Sequence, residues 1–295
     1  MKIKKYKIGV IILVIILIFI YYLYNNKIES FTDINNIKII LNNPPYEGGF
    51  FSIFNMLLAS LIDNPNTTEI QYNIISNKNS PVTYYINDNE EIFSKIFQEY
   101  KNIQSTNTIE VNSFVENTEG TKLYWKGKEL YNENRNKLQP FNDVYKKYII
   151  LQPHIEEKIK YHINILKDKR YDHYIGVLVR SAAVGDNPGR KKYLDTINKL
   201  SNNLKTKYFL LIDNEEDLNF YKNNLKPNYY ININRSPSNK GDAPHKNTNL
   251  KSLEELENVF IQVAVLSSCD ILVHGSSNMA TTSLIMNMEQ KSVWI

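Results

Sequence analysis

The residues best suited to chemistry lie in three short stretches, far apart along the chain. Arg180 ends the apolar run "GVLVR". A run this apolar predicts a buried strand, which puts its terminal arginine at the rim of a sheet. A guanidinium there can fork onto phosphate oxygens, a charge-assisted contact of about 1.5–3 kcal/mol; a salt bridge or a solvated side chain is the plain alternative. Gly275, Ser276, Ser277 and Asn278 follow a second apolar run, "ILVH". Small residues where a strand hands over to a helix expose backbone N–H groups and the positive end of the helix dipole, and the two hydroxyls add donors. This suits a pyrophosphate, although Ser277 or Asn278 as an ordinary N-cap explains the same residues with nothing bound. Gly48 and Gly49 open the third stretch, "GGFFSIFN", which contains Asn55. They lack the third glycine of a dinucleotide fingerprint and the Lys-Ser/Thr of a P-loop, so nicotinamide enzymes and P-loop hydrolases fit poorly.

Proton transfer needs a base, and the loops offer three: Glu47, Asp186 and His245. The sequence does not choose among them. His154, His162, His173, His245 and His274 are scattered without metal-ligand spacing, and no DxD occurs. His274 reads as a structural histidine. In "DNEED", Asp213 ends a strand, while Glu215, Glu216 and Asp217 read as a solvated first helical turn. No G-x-S-x-G elbow supports a hydrolase. The single cysteine, Cys269, excludes a disulfide framework and reads as a small buried hydrophobe.

Alternating strand and helix patterns must position these residues. Residues 37–42 predict a strand, 50–62 a helix, 69–76 a strand, and 89–100 and 155–166 amphipathic helices. The stretch 101–142 is polar and without pattern. From residue 171 the alternation is cleaner. "HYIGVLVR", "KYFLLID", "YYINI", "DILVHG" and "KSVWI" predict strands. "RKKYLDTINKLSNNL", "NEEDLNFYKNNL", "SLEELENVFIQVAVLSS" and "SNMATTSLIMN" predict helices, with Asn214 as an N-cap and Ser252 with Glu255 as a capping box. This order predicts βαβ crossovers and a parallel sheet, with ligands beyond the carboxyl ends of the strands.

The chain has 295 residues and a formal charge of +4, and Lys2, Lys4, Lys5 and Lys7 cluster at its start. The remainder is near neutral and shows no basic stripe for nucleic acid. Residues 8–24 carry no charge and are long enough to predict a short membrane-spanning signal anchor, with Tyr21, Tyr22 and Tyr24 at the far interface. No small-residue cleavage site follows. The lysines then stay cytoplasmic and the bulk crosses the membrane, as in a type II protein of the ER or Golgi kind. Asn66 and Asn234 begin potential glycosylation sites there.

The ordered set of motifs resembles the fucosyltransferase-related glycosyltransferases, which include α-1,6-, α-1,2- and protein O-fucosyltransferases. The likeness covers residues 171–287, with a weaker match at 48–55. In that family a strand ends His-x-Arg and the arginine holds the β-phosphate of GDP-fucose, which "GVLVR" matches at Arg180. "YFLLID" matches a strand ending in aspartate at Asp213, and "GDAPH" a loop histidine at His245. "VLSSCD" matches the family's Leu-Ser-x-Cys/Ala-Asp, and "HGSSN" its phosphate-binding turn at Gly275, Ser276, Ser277 and Asn278. Gly48, Gly49 and Asn55 match the glycine loop near the donor. Two positions that help recognise guanine depart: the family's histidine is Leu178, and its acid before Leu-Ser is Gln262. A carboxylate accepts two guanine N–H bonds, whereas an amide offers one acceptor and one donor.

The resemblance implies an α/β, GT-B-like fold of two Rossmann-like domains with parallel sheets, and the apolar segment 8–24 puts one transmembrane helix before it. Its divisions are a cytoplasmic tail (1–7), the anchor (8–24), a stem (25–36), an acceptor-side domain (37–168) and a nucleotide-sugar-binding domain (169–295). It implies a membrane-anchored, metal-independent transfer of fucose from GDP-fucose to a glycan or protein hydroxyl, with no cofactor besides the donor. The alternatives are a catalytically silent relative that binds glycans or a partner, and a tethered phosphate-binding hydrolase.

Overall fold

The computed structural model describes residues 36–44, 49–75, 90–129 (backbone alone at 125–129), 135–180, 189–202, 204–233, 235 and 252–295. The expected tail and anchor, and the stem up to residue 35, lie outside this set, and so do Glu47, Gly48, Asp186 and His245. Among the described residues no helix is long and apolar enough to cross a membrane.

In the first half, β1 (Ile37–Asn42) leads to α1 (Phe50–Asp63), and β2 (Thr67–Asn73) to the single turn α2 (Phe93–Ile96). β3 (Tyr100–Lys101), β4 (Asn107–Val111), α3 (Glu119–Glu129), α4 (Gln139–Tyr148) and α5 (Pro153–Leu166) follow. The sheet order is β3-β2-β1-β4, with β1 parallel to both neighbours and β3 antiparallel to β2. The second half alternates strictly, through β5 (His173–Val179), α6 (Arg190–Leu200), β6 (Thr206–Ile212), α7 (Glu215–Asn224) and β7 (Asn228–Tyr229). It ends with α8 (Leu253–Ser267), β8 (Ile271–His274), α9 (Asn278–Met286) and β9 (Lys291–Trp294). This sheet is wholly parallel, in the order β7-β6-β5-β8-β9.

β5 is buried on both faces, as a central parallel strand should be. Its period of two divides the core. Tyr174 and Leu178 join the cluster containing α8 and α9, while Ile175, Val177 and Val179 join Tyr193, Ile197 and Tyr221 on the opposite face. Gly176 lets α8 lie against the strand, since a Cβ there would come within 2.5 Å of Leu266 Cδ1. Cys269 packs in the same place, fully buried. The first cluster also runs into the first half through stacked rings. Phe97 lies 5.2 Å from Phe54 and 5.2 Å from Phe260, so α8 closes onto α1. Both sheets therefore share one apolar core.

Four expectations need correction. The helix expected over 89–100 is only the turn α2. The Glu91 carboxylate caps it, accepting from the Phe93 and Ser94 amides. Gln152 Nε2 then takes the Ser94 and Phe97 carbonyls, which a continuing helix would need, and Phe97 turns extended to bridge Leu151. The patternless stretch 101–142 holds β4, α3 and the start of α4; β4 is a largely exposed edge strand, so its apolar signal is weak. "YYINI" pairs only through Tyr229, as the end of β7, because Arg235 takes the Ile231 and Ile233 carbonyls. The acidic turn of α7 is not simply solvated: Asp217 is fully buried and paired with Arg190.

Candidate functional site

The register of the second sheet brings the distant motifs together. Val179 pairs with Ile212 and Leu178 with His274, so beyond the last rungs Arg180 lies between Asp213 on one side and the turn after Gly275 on the other. The parity that puts Leu178 in the cluster with α8 and α9 puts Arg180 on that face too. Its Nε sits 3.3 Å from Asp213 Oδ2, and Nη1 donates to Met279 Sδ at 2.8 Å. Met279 belongs to the first turn of α9. The guanidinium thus rests against the N-terminus of that helix, held behind by a carboxylate and in front by a thioether. Sulfur is a weak acceptor, so the front contact is easily exchanged for a better one.

Ser277 is the N-cap of α9, extended (φ −163°, ψ 140°), with its hydroxyl accepting from the Met279 amide at 3.2 Å. Ser276, Ser277 and Asn278 are half-buried and Gly275 is buried. Arg180, Asp213 and Ser277 therefore occupy one end of one sheet. The arrangement joins a fixed cation to helix N–H groups and the positive end of a dipole, which together favour a polyanion.

No protein-family model matches the sequence, and no curated protein does. Solved structures do. NodZ α-1,6-fucosyltransferase soaked with GDP-fucose superposes with a TM-score of 0.51 and 13% identity, over 85% of this chain and 93% of that one. The same enzyme co-crystallised with GDP gives 0.51 and 14% over the same shares. NodZ from Bradyrhizobium gives 0.50 and 14%, again over 85% and 93%. The fold is fucosyltransferase-related.

Within this fucosyltransferase-related fold, α9 is gripped from the first half of the chain. The Tyr124 hydroxyl on α3 donates to Asn278 Oδ1 at the start of the helix. Thr282 donates to Asn55 Oδ1 at 3.0 Å in its middle. At its end, Asn142 Nδ2 donates to the Ile285 carbonyl at 2.6 Å, and Arg135 Nη2 to those of Leu284 (3.1 Å) and Asn287 (2.8 Å). A cation there also complements the negative end of the dipole. Asn55, which the motif match placed beside the donor, is fully buried between the halves. Asn278 is committed to Tyr124 rather than open at the rim.

The other motif residues divide. Leu178 is buried among apolar neighbours. Gln262 is fully buried on α8, its Nε2 donating to the Asn258 carbonyl one turn back. Gly49 is the N-cap of α1 with φ −68° and ψ 160°, and a Cβ there would meet nothing within 4 Å. Its backbone is ordinary. His274 is structural, as expected. Its Nδ1 faces the Gly275 carbonyl at 2.9 Å and its Nε2 the Ser292 hydroxyl at 2.8 Å. The carbonyl can only accept, so Nδ1 carries the proton and Nε2 accepts from serine. Burial pushes its pKa down to about 4 and keeps it neutral.

Sequence reasoning missed Arg235, Tyr124, Arg135 and Met279. Arg235 is buried and donates to the Ile212 carbonyl at the end of β6, so it braces the strand that carries Asp213. Its one signal was an arginine soon after an apolar run. Among the described residues no group of three His, Cys, Asp or Glu side chains is disposed to hold a metal ion.

Proposed function

We propose that the chain is a glycosyltransferase that moves a sugar from a nucleotide-diphosphate donor, fucose from GDP-fucose, to a hydroxyl of a glycan or protein. The observation that carries this reading is the contact of Arg180 with the first turn of α9. The fucosyltransferase-related fold supports it, since the matched NodZ structures were obtained with GDP-fucose and with GDP. On this reading the bond from the anomeric carbon to the β-phosphate oxygen breaks, and negative charge grows on the departing diphosphate. Arg180 Nη1 exchanges the Met279 sulfur for a phosphate oxygen, while Asp213 keeps hold of Nε and so fixes the fork. The free N–H groups of α9 face the same charge. These donors are in place before reaction, and they bind more strongly as charge develops, which is what lowers a barrier. The acceptor hydroxyl attacks the anomeric carbon and gives its proton to one of Glu47, Asp186 or His245. The segment 8–24 tethers the enzyme, with its bulk beyond the membrane.

A second reading, a catalytically silent binder of glycans or a partner, is favoured by Leu178 and Gln262. Both are buried, and neither carries the imidazole or carboxylate of the matched family positions. A donor screen read by release of free diphosphate, with a mixed glycan acceptor, separates the two. The transferase reading expects release from GDP-fucose that depends on acceptor and is lost in Arg180→Ala. Release without acceptor means a hydrolase, and no release from any donor means a binder.

A further inference from the structure

Two N-x-Ser/Thr sequons stand in the sequence, Asn66-Thr67-Thr68 and Asn234-Arg235-Ser236, and the chemistry at Arg180 uses neither. Asn234 lies outside the described residues, whereas the first sequon occupies the turn from α1 to β2. The Thr67 amide donates to the Asn64 carbonyl at 3.1 Å, which closes a four-residue turn with Pro65 and Asn66 at its tip. The turn is tied at every residue. Asn64 Nδ2 donates to the Ser60 carbonyl at 2.8 Å, and the Thr67 hydroxyl to the Asn64 carbonyl at 2.7 Å. The Pro65 carbonyl accepts from the Tyr148 hydroxyl at 2.9 Å, and the Asn66 carbonyl from the Ile37 amide at 3.2 Å. The Asn66 side chain takes no part. It is exposed and makes no hydrogen bond among the described residues, while Asn64, two positions earlier, spends its amide on capping α1.

We infer that Asn66 carries an N-linked glycan, a rigid turn presenting an amide that the fold leaves unused. The inference rests on the reading above in which segment 8–24 tethers the chain with its bulk beyond the membrane. The co-reactant is a lipid-linked oligosaccharide diphosphate. A bond forms from Asn66 Nδ2 to the anomeric carbon as the bond from that carbon to the lipid diphosphate breaks. The diphosphate leaves with the electron pair, and the amide gives up one proton. The Thr68 hydroxyl completes the acceptor motif. In the folded chain that hydroxyl lies 3.2 Å from Ser105 Oγ and is half-buried, so transfer precedes the pairing of β2. Folding then leaves the glycan in solvent, at the end of the first sheet where β2 begins, opposite the carboxyl ends of its parallel strands.

Expression of the full chain in a eukaryotic secretory host tests this. Gel mobility before and after peptide-N-glycosidase reads the glycan, and protease protection in sealed membrane vesicles reads the topology separately. The wild type should be protected from protease and should run faster after the glycosidase. Asn66→Gln should run one glycan's step below the wild type, whatever Asn234 carries. Asn66 does not sit in the left-handed backbone region, so glutamine fits there without strain. Thr68→Val breaks the motif while keeping the asparagine and should show the same step. Thr68→Ser keeps the motif and should run with the wild type. A protected chain whose Asn66→Gln and Thr68→Val variants run with the wild type overturns the inference and leaves the topology standing. An unprotected chain means that the membrane reading has failed, and the inference falls with it.

Discussion

Arg180 works between partners of unequal strength. Asp213 is buried and holds Nε, whereas the Met279 thioether is a poor acceptor for Nη1. Arg180→Ala should therefore cost about 1.5–3 kcal/mol of diphosphate binding, a ten- to hundredfold rise in Kd. Arg180→Lys should recover part of this, since a lysine keeps the charge and loses the planar fork. Titration with GDP measures both. His274 makes a different prediction. Its folded pKa of about 4 lies below its ordinary value of 6.5, so the unfolded chain takes up the proton first as pH falls. The stability that depends on neutral His274 is complete above pH 6.5 and is lost on the way down to about 4, about 3 kcal/mol in all. Urea midpoints of the wild type should fall across that window, and those of His274→Gln should fall less.

Helix α9 is the element on which the site depends. It begins at the turn of Gly275–Ser277, and its hydrogen bonds to the first half come from α1, α3, α4 and the Arg135 turn. Asn142→Ala leaves the Ile285 carbonyl buried without its donor and should cost about 1–3 kcal/mol, read from the urea midpoint. The α1–α3 crossing is tighter still. A Cβ on Gly120 would come within 2.1 Å of the Ala59 carbonyl oxygen, backbone that cannot step aside. Gly120→Ala should cost about 1–3 kcal/mol or more by the same measurement, and should weaken GDP binding by shifting Tyr124 away from Asn278. The elements themselves were legible where one local signal dominated. β5 is an unbroken apolar run, α7 opens on Asn214, and α8 opens on Ser252, whose hydroxyl accepts from the Glu255 amide. The turn at 93–96 was not legible, because its end is decided by Gln152, 58 residues away from Ser94. β4 was missed because an exposed edge strand needs few apolar residues.

At the scale of the whole molecule, two sheets share one core through Phe54, Phe97 and Phe260, and the rim of the second sheet carries the charge that would hold a donor. The rim was legible: parallel strands ending in Arg180, Asp213 and Gly275 must finish together if they are neighbours, and period two puts the first two on one face. What joins the halves was not legible. Tyr124 meets Asn278 across 154 positions, and no pattern in a single chain pairs residues so distant. The most direct measurement is calorimetric titration of GDP into the wild type and Arg180→Ala, each first confirmed as folded. Saturable binding in the wild type, weakened at least tenfold in the variant, is what a guanidinium and a helix N-terminus gripping one diphosphate require. Equal affinity in the two chains would contradict it.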